Sequence, residues 1–302
     1  MSVKISFSSK VKAELCRESV TRRCCALAEC YGALLYANTF TAREVRVITG
    51  NPHLCARLPK LLKKAFGFGF GFDEVSEGEG RRSFIVTDTG KISQIFAAFG
   101  YDANQLVAHH INLGVLEDDC CRASFARGAF LAGGSVTDPS KRYHLELVTD
   151  HMSVARETFS LLLEMGLTPK ESSRAGNYIL YFKQSEAIED FLTTIGAPIS
   201  AMEIMSEKVE KDMRNAINRK VNCDSANADK IVAASREQTA AIRLVDKRVG
   251  LINLPDKLHE TALLRIANPE ASIAELASLA SPPVTKSCMS HRMRKLLAYN
   301  EG

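Results

Sequence analysis

Two segments about 100 residues apart read alike, and this internal repeat limits what the chain can fold into. The first is "CCALAECYGALLYAN" (24–38) and the second "CCRASFARGAFLAGG" (120–134). Aligning the cysteine pairs sets Gly32 against Gly128. Both segments carry apolar residues at helical spacing with few breakers, so each predicts a helix. The parallel continues downstream. "VRVIT" (45–49) matches "LELVT" (145–149), both β-rich, and "NPHLCARLPKLLKKAFG" (51–67) matches "HMSVARETFSLLLEMG" (151–166), both amphipathic and closed by glycine. Short strand pairs follow at 71–77 and 82–88 in one copy and at 169–174 and 178–183 in the other. Each copy then ends in a helix, "KISQIFAAFG" against "SEAIEDFLTTIG". The expected unit is helix, hairpin, helix, hairpin, helix, running over about 20–100 and again over about 118–198. Two copies of so long a unit predict a pseudo-two-fold pair rather than a solenoid, which stacks shorter repeats at least three deep. Of the helices in each unit, the first alone has a central glycine, so these two helices are expected to pack against each other at the dyad.

Composition narrows the class. With 302 residues, 46% of them apolar and 25% charged, the chain has enough material for two or three packed domains. No run of eighteen apolar residues exists and the N-terminus lacks a signal-peptide core, so a cytoplasmic protein with no membrane segment is expected. A net charge of +4 permits nucleic-acid binding without arguing for it, and its distribution must decide. The nine cysteines show no C-x-x-C spacing and read as small buried hydrophobes, with no metal site and no cofactor expected.

The C-terminal third has a different pattern. "DKLHETALLRIA" (256–267) reads as a helix stopped by Asn268-Pro269. Ser272 and Glu275 form a capping-box signature before the short helix "IAELASLA", "SPPV" breaks it, and Thr285 caps a third helix, "KSCMSHRMRKLLAY". A short helix, a tight turn and a helix that opens with polar residues make a helix-turn-helix, whose second helix enters the major groove. From Val284 to Leu297 there are Lys286, His291, Arg292, Arg294 and Lys295 and no acid. Met289, Met293 and Leu296 form the expected buried face. Thr285, Lys286, Ser287, Ser290 and His291 stand where base edges would be met, although His291 reads equally well as a solvated histidine without a role. Arg292, Arg294 and Lys295 are placed to touch phosphates.

Between the two patterns, 207–248 contains neither proline nor glycine and predicts one long helix, or two broken near Cys223-Asp224. Arg214, Asn218 and Asn222 recur at every fourth position, with Asn215 and Arg219 beside them and Asn227 and Lys230 further on. Asparagine is a poor helix former. These residues fit a structural linker or a contact with DNA or a partner, and both readings stay open.

The duplicated unit resembles the LAGLIDADG homing endonucleases, an αββαββα fold in duplicate whose two signature helices each deliver a metal-binding acid at their C-terminal ends. The resemblance places those acids at Ala37 and Gly133, neither of which binds a metal. Glu29 lies two turns back along the first helix and Asp138 sits in a turn, so neither substitutes. "SFSSKVKAEL" (6–15), "RGAFLAGGSV" (127–136), "RNAINRKVNCDSANADK" (214–230) and "ASIAELASLASPPVTKSCMSHRMRKL" (271–296) together resemble the WhiA family of bacterial transcription regulators, best known for controlling sporulation. The resemblance implies an α+β fold: a degenerate LAGLIDADG-like domain over 1–200, a helical linker over 201–249 and an all-α helix-turn-helix domain over 250–302. It further implies sequence-specific binding of double-stranded promoter DNA near the nucleoid, without catalysis. Other transcription factors or an RNA polymerase sigma factor would be the protein partners. The first copy offers Arg43, Arg46, Arg81 and Arg82 to DNA, but Asp73, Glu74, Glu77 and Glu79 would oppose phosphate there, which favours a protein-binding role for that sheet. A metal-dependent homing nuclease and a division or segregation scaffold are the competing readings.

Overall fold

The computed structural model describes residues 5–67, 73–76, 80–102 and 108–299, with 73–76 described by their backbone alone. The chain divides into two compact units, 1–211 and 212–302. The first opens with α1 (Phe7–Arg17), whose start is capped by the Ser6 hydroxyl accepting from the Ser9 amide. The first repeat follows as α2 (Arg23–Leu35), β1 (Thr39–Phe40), β2 (Val45–Thr49), α3 (Pro52–Phe66), β3 (Asp73–Ser76), β4 (Arg82–Val86) and α4 (Thr89–Ala98). The second is α5 (Asp119–Gly133), β5 (Gly134–Val136), β6 (Leu145–Thr149), α6 (Met152–Glu164), β7 (Lys170–Arg174), β8 (Asn177–Phe182) and α7 (Ser185–Ile195). Each copy builds an antiparallel four-stranded sheet of the same topology, β1-β2-β4-β3 and β5-β6-β8-β7. The expected duplication is therefore present strand for strand. Expected strand residues 71, 72 and 77 lie outside the described residues.

The two copies meet along α2 and α5. A Cβ on Gly32 would lie 2.0 Å from the Phe125 carbonyl oxygen, and one on Gly128 2.0 Å from the Glu29 carbonyl oxygen. The backbones are in direct contact at both points, so only glycine fits either position. Around this seam one continuous core gathers residues from both copies, including Tyr31, Leu34, Phe96, Phe125, Phe130, Leu147 and Phe191, all essentially without exposure. α1 also fixes the next element: the Glu14 carboxylate accepts from the Ile199 and Ser200 amides at 2.8 and 2.9 Å, capping the N-terminus of α8 (Pro198–Val249).

α8 is a single helix without a break near Cys223. Its residues 212–234 are exposed on every side, while Ile242 and Val245 join the core of the second unit. That unit adds α9 (Asp256–Ala267), α10 (Ile273–Leu279) and α11 (Lys286–Ala298). Leu258, Ala262, Leu276, Met289, Met293 and Leu296 complete its core, which confirms the expected buried face of the last helix.

The cysteines depart from expectation. Cys30 and Cys121 are buried, but Cys24, Cys223 and Cys288 are exposed, and all nine are free thiols. Cys24, Cys25, Cys120 and Cys121 lie together, their sulfurs within 4.8 Å of one another. Sequence spacing hid this because each adjacent pair sits on a different helix, and the helices meet only after the copies pair.

Candidate nucleic-acid interface

α10 and α11 are set by local chemistry. The Ser272 hydroxyl accepts from the Glu275 amide at 3.2 Å, and the Glu275 carboxylate accepts from the Ser272 amide at 2.6 Å, a complete capping box. The backbone amide and hydroxyl of Ser272 hold the Glu275 carboxyl below its ordinary range. Thr285 caps α11 by accepting from the Cys288 amide at 3.2 Å. The turn between the helices is pinned where the Val284 amide donates to the Ala277 carbonyl at 2.9 Å.

Two charged residues of α9 hold this arrangement, and neither was picked out from the sequence. One oxygen of the Glu260 carboxylate accepts from the Ser281 amide at 2.7 Å and the other from Arg292 at 3.0 Å, so a single side chain ties both the turn and α11 to α9. Arg265 is almost wholly buried and donates to the Ala271 carbonyl at 2.6 Å and the Asn268 carbonyl at 3.3 Å, and also to the Ser235 hydroxyl of α8 at 3.3 Å. Burial lowers its pKa. The guanidinium acts as the bracket of the α9–α10 loop.

With Met289, Met293 and Leu296 turned inward, α11 leaves Thr285, Lys286, Ser287, His291, Arg294 and Lys295 exposed and Ser290 half-buried. Arg292 differs from its neighbours, because its side chain is only 13% exposed and is committed to Glu260. His291 and Lys295 lean toward the start of α9, sharing a groove with Lys257, Pro255 and Tyr299. Arg214, Asn215, Asn218, Arg219, Asn222, Asn227 and Lys230 all lie on the exposed stretch of α8, where Asn227 bonds Cys223 one turn back at 3.7 Å. In the first unit, Arg46 is paired with Glu44 at 2.7 Å, while Arg43 and Arg81 are exposed. Glu77 and Glu79 of the expected acidic cluster lie outside the described residues, as do the side chains of Asp73 and Glu74.

At the C-terminal ends of α2 and α5, Ala37 and Gly133 line one small recess of about 320 Å³ with Tyr36, Asn38, Val148 and Asp150. A Cβ on Gly133 would lie 2.5 Å from the Val148 carbonyl oxygen and 2.9 Å from the Tyr36 ring, so no side chain fits there as the backbone stands. Glu29 is 1% exposed and fully occupied. Arg57 donates to its two oxygens at 2.6 and 2.8 Å, and Arg127 donates to it at 3.2 Å.

The arrangement defines a class: a duplicated LAGLIDADG-type fold, degenerate at its acid positions, joined to a helix-turn-helix. Comparison with known proteins makes this particular. The WhiA LAGLIDADG-like domain matches residues 122–214 and the WhiA C-terminal HTH domain matches residues 217–300. Two relatives called "Probable cell division protein WhiA" are 36% identical (Ruminiclostridium cellulolyticum) and 35% identical (Clostridium acetobutylicum). Each alignment covers 97% of this chain and 96% of the relative. The crystal structure of "full-length DUF199/WhiA from Thermatoga maritima" superposes with a TM-score of 0.61 at 25% identity, covering 98% of both chains. The chain belongs to the WhiA family. Among the described residues no helix is long and apolar enough to cross a membrane.

Proposed function

We propose that the chain is a sequence-specific regulator that binds double-stranded promoter DNA through α11. The observation that carries this reading is the helix itself. It is capped at its N-terminus by Thr285, locked from behind by Glu260, and exposes Lys286, Ser287, His291, Arg294 and Lys295 with no acid between Val284 and Leu297. Thr285, Lys286, Ser287, Ser290 and His291 would meet base edges, and Arg294 and Lys295 would meet phosphates. Arg292, tied to Glu260, would contribute first by holding the helix and second by its charge. The exposed polar stripe of α8, Arg214 to Lys230, would lie against DNA or a protein partner such as another transcription factor or a sigma factor. The duplicated unit would serve as scaffold or interaction surface without nuclease activity, since a divalent ion needs carboxylates that Ala37 and Gly133 do not supply. The relatives' cell-division name agrees with a regulator acting at the nucleoid, in the cytoplasm.

The test is a gel-shift titration of the full chain on promoter fragments recovered by chromatin immunoprecipitation. Lys286→Ala should cost about 1–3 kcal/mol and blur discrimination between sites. Arg294→Ala should weaken all sites alike and lower the salt slope by about one. If both variants bind as the parent does, α11 is not the reading helix.

A further inference from the structure

We propose that Cys24, Cys25, Cys120 and Cys121 form a zinc site that clamps the N-terminal ends of α2 and α5. The four sulfurs come from two adjacent pairs, one on each helix, and lie within 4.8 Å of one another. A tetrahedral zinc tetrathiolate, with Zn–S near 2.3 Å, sets its sulfurs roughly 3.8 Å apart. The thiols therefore need to close by no more than about 1 Å, which a side-chain rotation supplies. The spread suits a single ion, because an iron–sulfur cluster holds its terminal thiolates further apart.

Three further observations favour an ion over a chance cluster of small side chains. Cys24 is exposed and Cys120 half-exposed, so hydrophobic burial does not explain their presence. All four cysteines fall in the first turns of their helices, and neither helix has a side-chain cap at that end. First-turn amides and the positive end of each helix dipole stabilise thiolates, the form that binds metal. Arg22 also donates to the Cys120 sulfur at 3.6 Å, placing a cation against the cluster. Arg22 and Arg23 are matched in number by Asp118 and Asp119 in the flanking sequence, and burial favours the thiol form at Cys25 and Cys121, so the metal itself must drive their deprotonation. Zinc is the ion these donors select: soft, tetrahedral and without redox chemistry. Binding exchanges four thiol protons for one Zn²⁺, the protons going to solvent, and no group is oxidised or reduced.

The full chain, purified under reducing conditions, should hold about one zinc per chain by elemental analysis. Cobalt substitution should give the visible d–d bands of a tetrahedral tetrathiolate and its sulfur-to-cobalt charge-transfer absorption. Cys24→Ser and Cys121→Ser should each lower zinc affinity by more than about 10-fold in competition with a chromophoric chelator, with Cys223→Ser unchanged. Should the variants fail to fold, alkylation of the parent chain decides. Zinc should protect Cys24 and Cys120 from iodoacetamide while Cys223 and Cys288 react, and a strong chelator should abolish that protection. Three results would each overturn the proposal: a chain without zinc or cobalt bands whose Cys24 reacts as fast as Cys223 with or without added zinc, a bound iron–sulfur chromophore, or peptide mapping that finds Cys24–Cys121 or Cys25–Cys120 disulfides in reduced preparations.

Discussion

The two ends of the α2–α5 pair make opposite use of the same symmetry. At the C-terminal end, where a LAGLIDADG nuclease would converge two acids on its metals, the pair presents Ala37 and Gly133 in a small recess. At the N-terminal end it converges four thiols. Between them the helices keep the contact that makes convergence possible, with each glycine set against the other helix's backbone. A pseudo-dyad between closely packed helices brings equivalent residues together at both ends. What each end can do then depends on which residue types stand there and on the room their surroundings leave them.

The seam itself should show the largest effect. Gly32→Val or Gly128→Val would drive a branched side chain into a carbonyl already 2.0 Å from the position of a Cβ. The expected cost is about 5 kcal/mol, comparable to the whole stability of a modest domain. Soluble yield and urea unfolding of the full chain check this, and a variant that stays folded with an unchanged midpoint would mean that the helices are not in backbone contact. The buried charges midway along the seam come next. Glu29→Gln leaves Arg57 and Arg127 both buried without their counter-ion, and breaking such a pair costs about 3 kcal/mol. A loss of unfolding free energy in urea well under half of that would show that water reaches the guanidinium groups.

Much of this was legible in the sequence because it is local or repeated. The duplication, the register of Gly32 on Gly128, the capping box at Ser272 and the cap at Thr285 each follow from residues close in the chain or from self-similarity. What stayed hidden depends on packing between distant segments. Glu29 read as an acid that fails to replace a catalytic one. Its two arginines come from α3 and α5, and nothing near it in the chain announces them. Arg292 read as a phosphate contact because its partner Glu260 lies 32 residues away on α9. The thiol cluster is the clearest case. Metal-site spacing rules assume that ligands come in loops of the C-x-x-C kind, and adjacent cysteines fail that rule. The available signal was the matching register of Cys24-Cys25 and Cys120-Cys121 in two helices already inferred to touch.

The acid-less end offers the smallest effect and the finest test of the comparison. The two positions are equivalent by register but not by surroundings. Gly133 faces the Val148 carbonyl and the Tyr36 ring with no room for a Cβ, whereas Ala37 already carries one at the rim of the recess. Gly133→Asp should therefore destabilise the chain by about 1–3 kcal/mol, as overpacking does, and Ala37→Asp by less than about 1 kcal/mol. The double variant with magnesium should not nick supercoiled plasmid, because an acid at 133 could enter only by displacing the strand or ring beside it. Equal stability of the two single variants would mean that the recess opens freely and that the two ends differ in residue type alone. Magnesium-dependent nicking by the double variant would show in addition that the old metal geometry survives. If instead Gly133→Asp alone is costly, the backbone has closed over the lost site, and chemistry could not return there by restoring the acids.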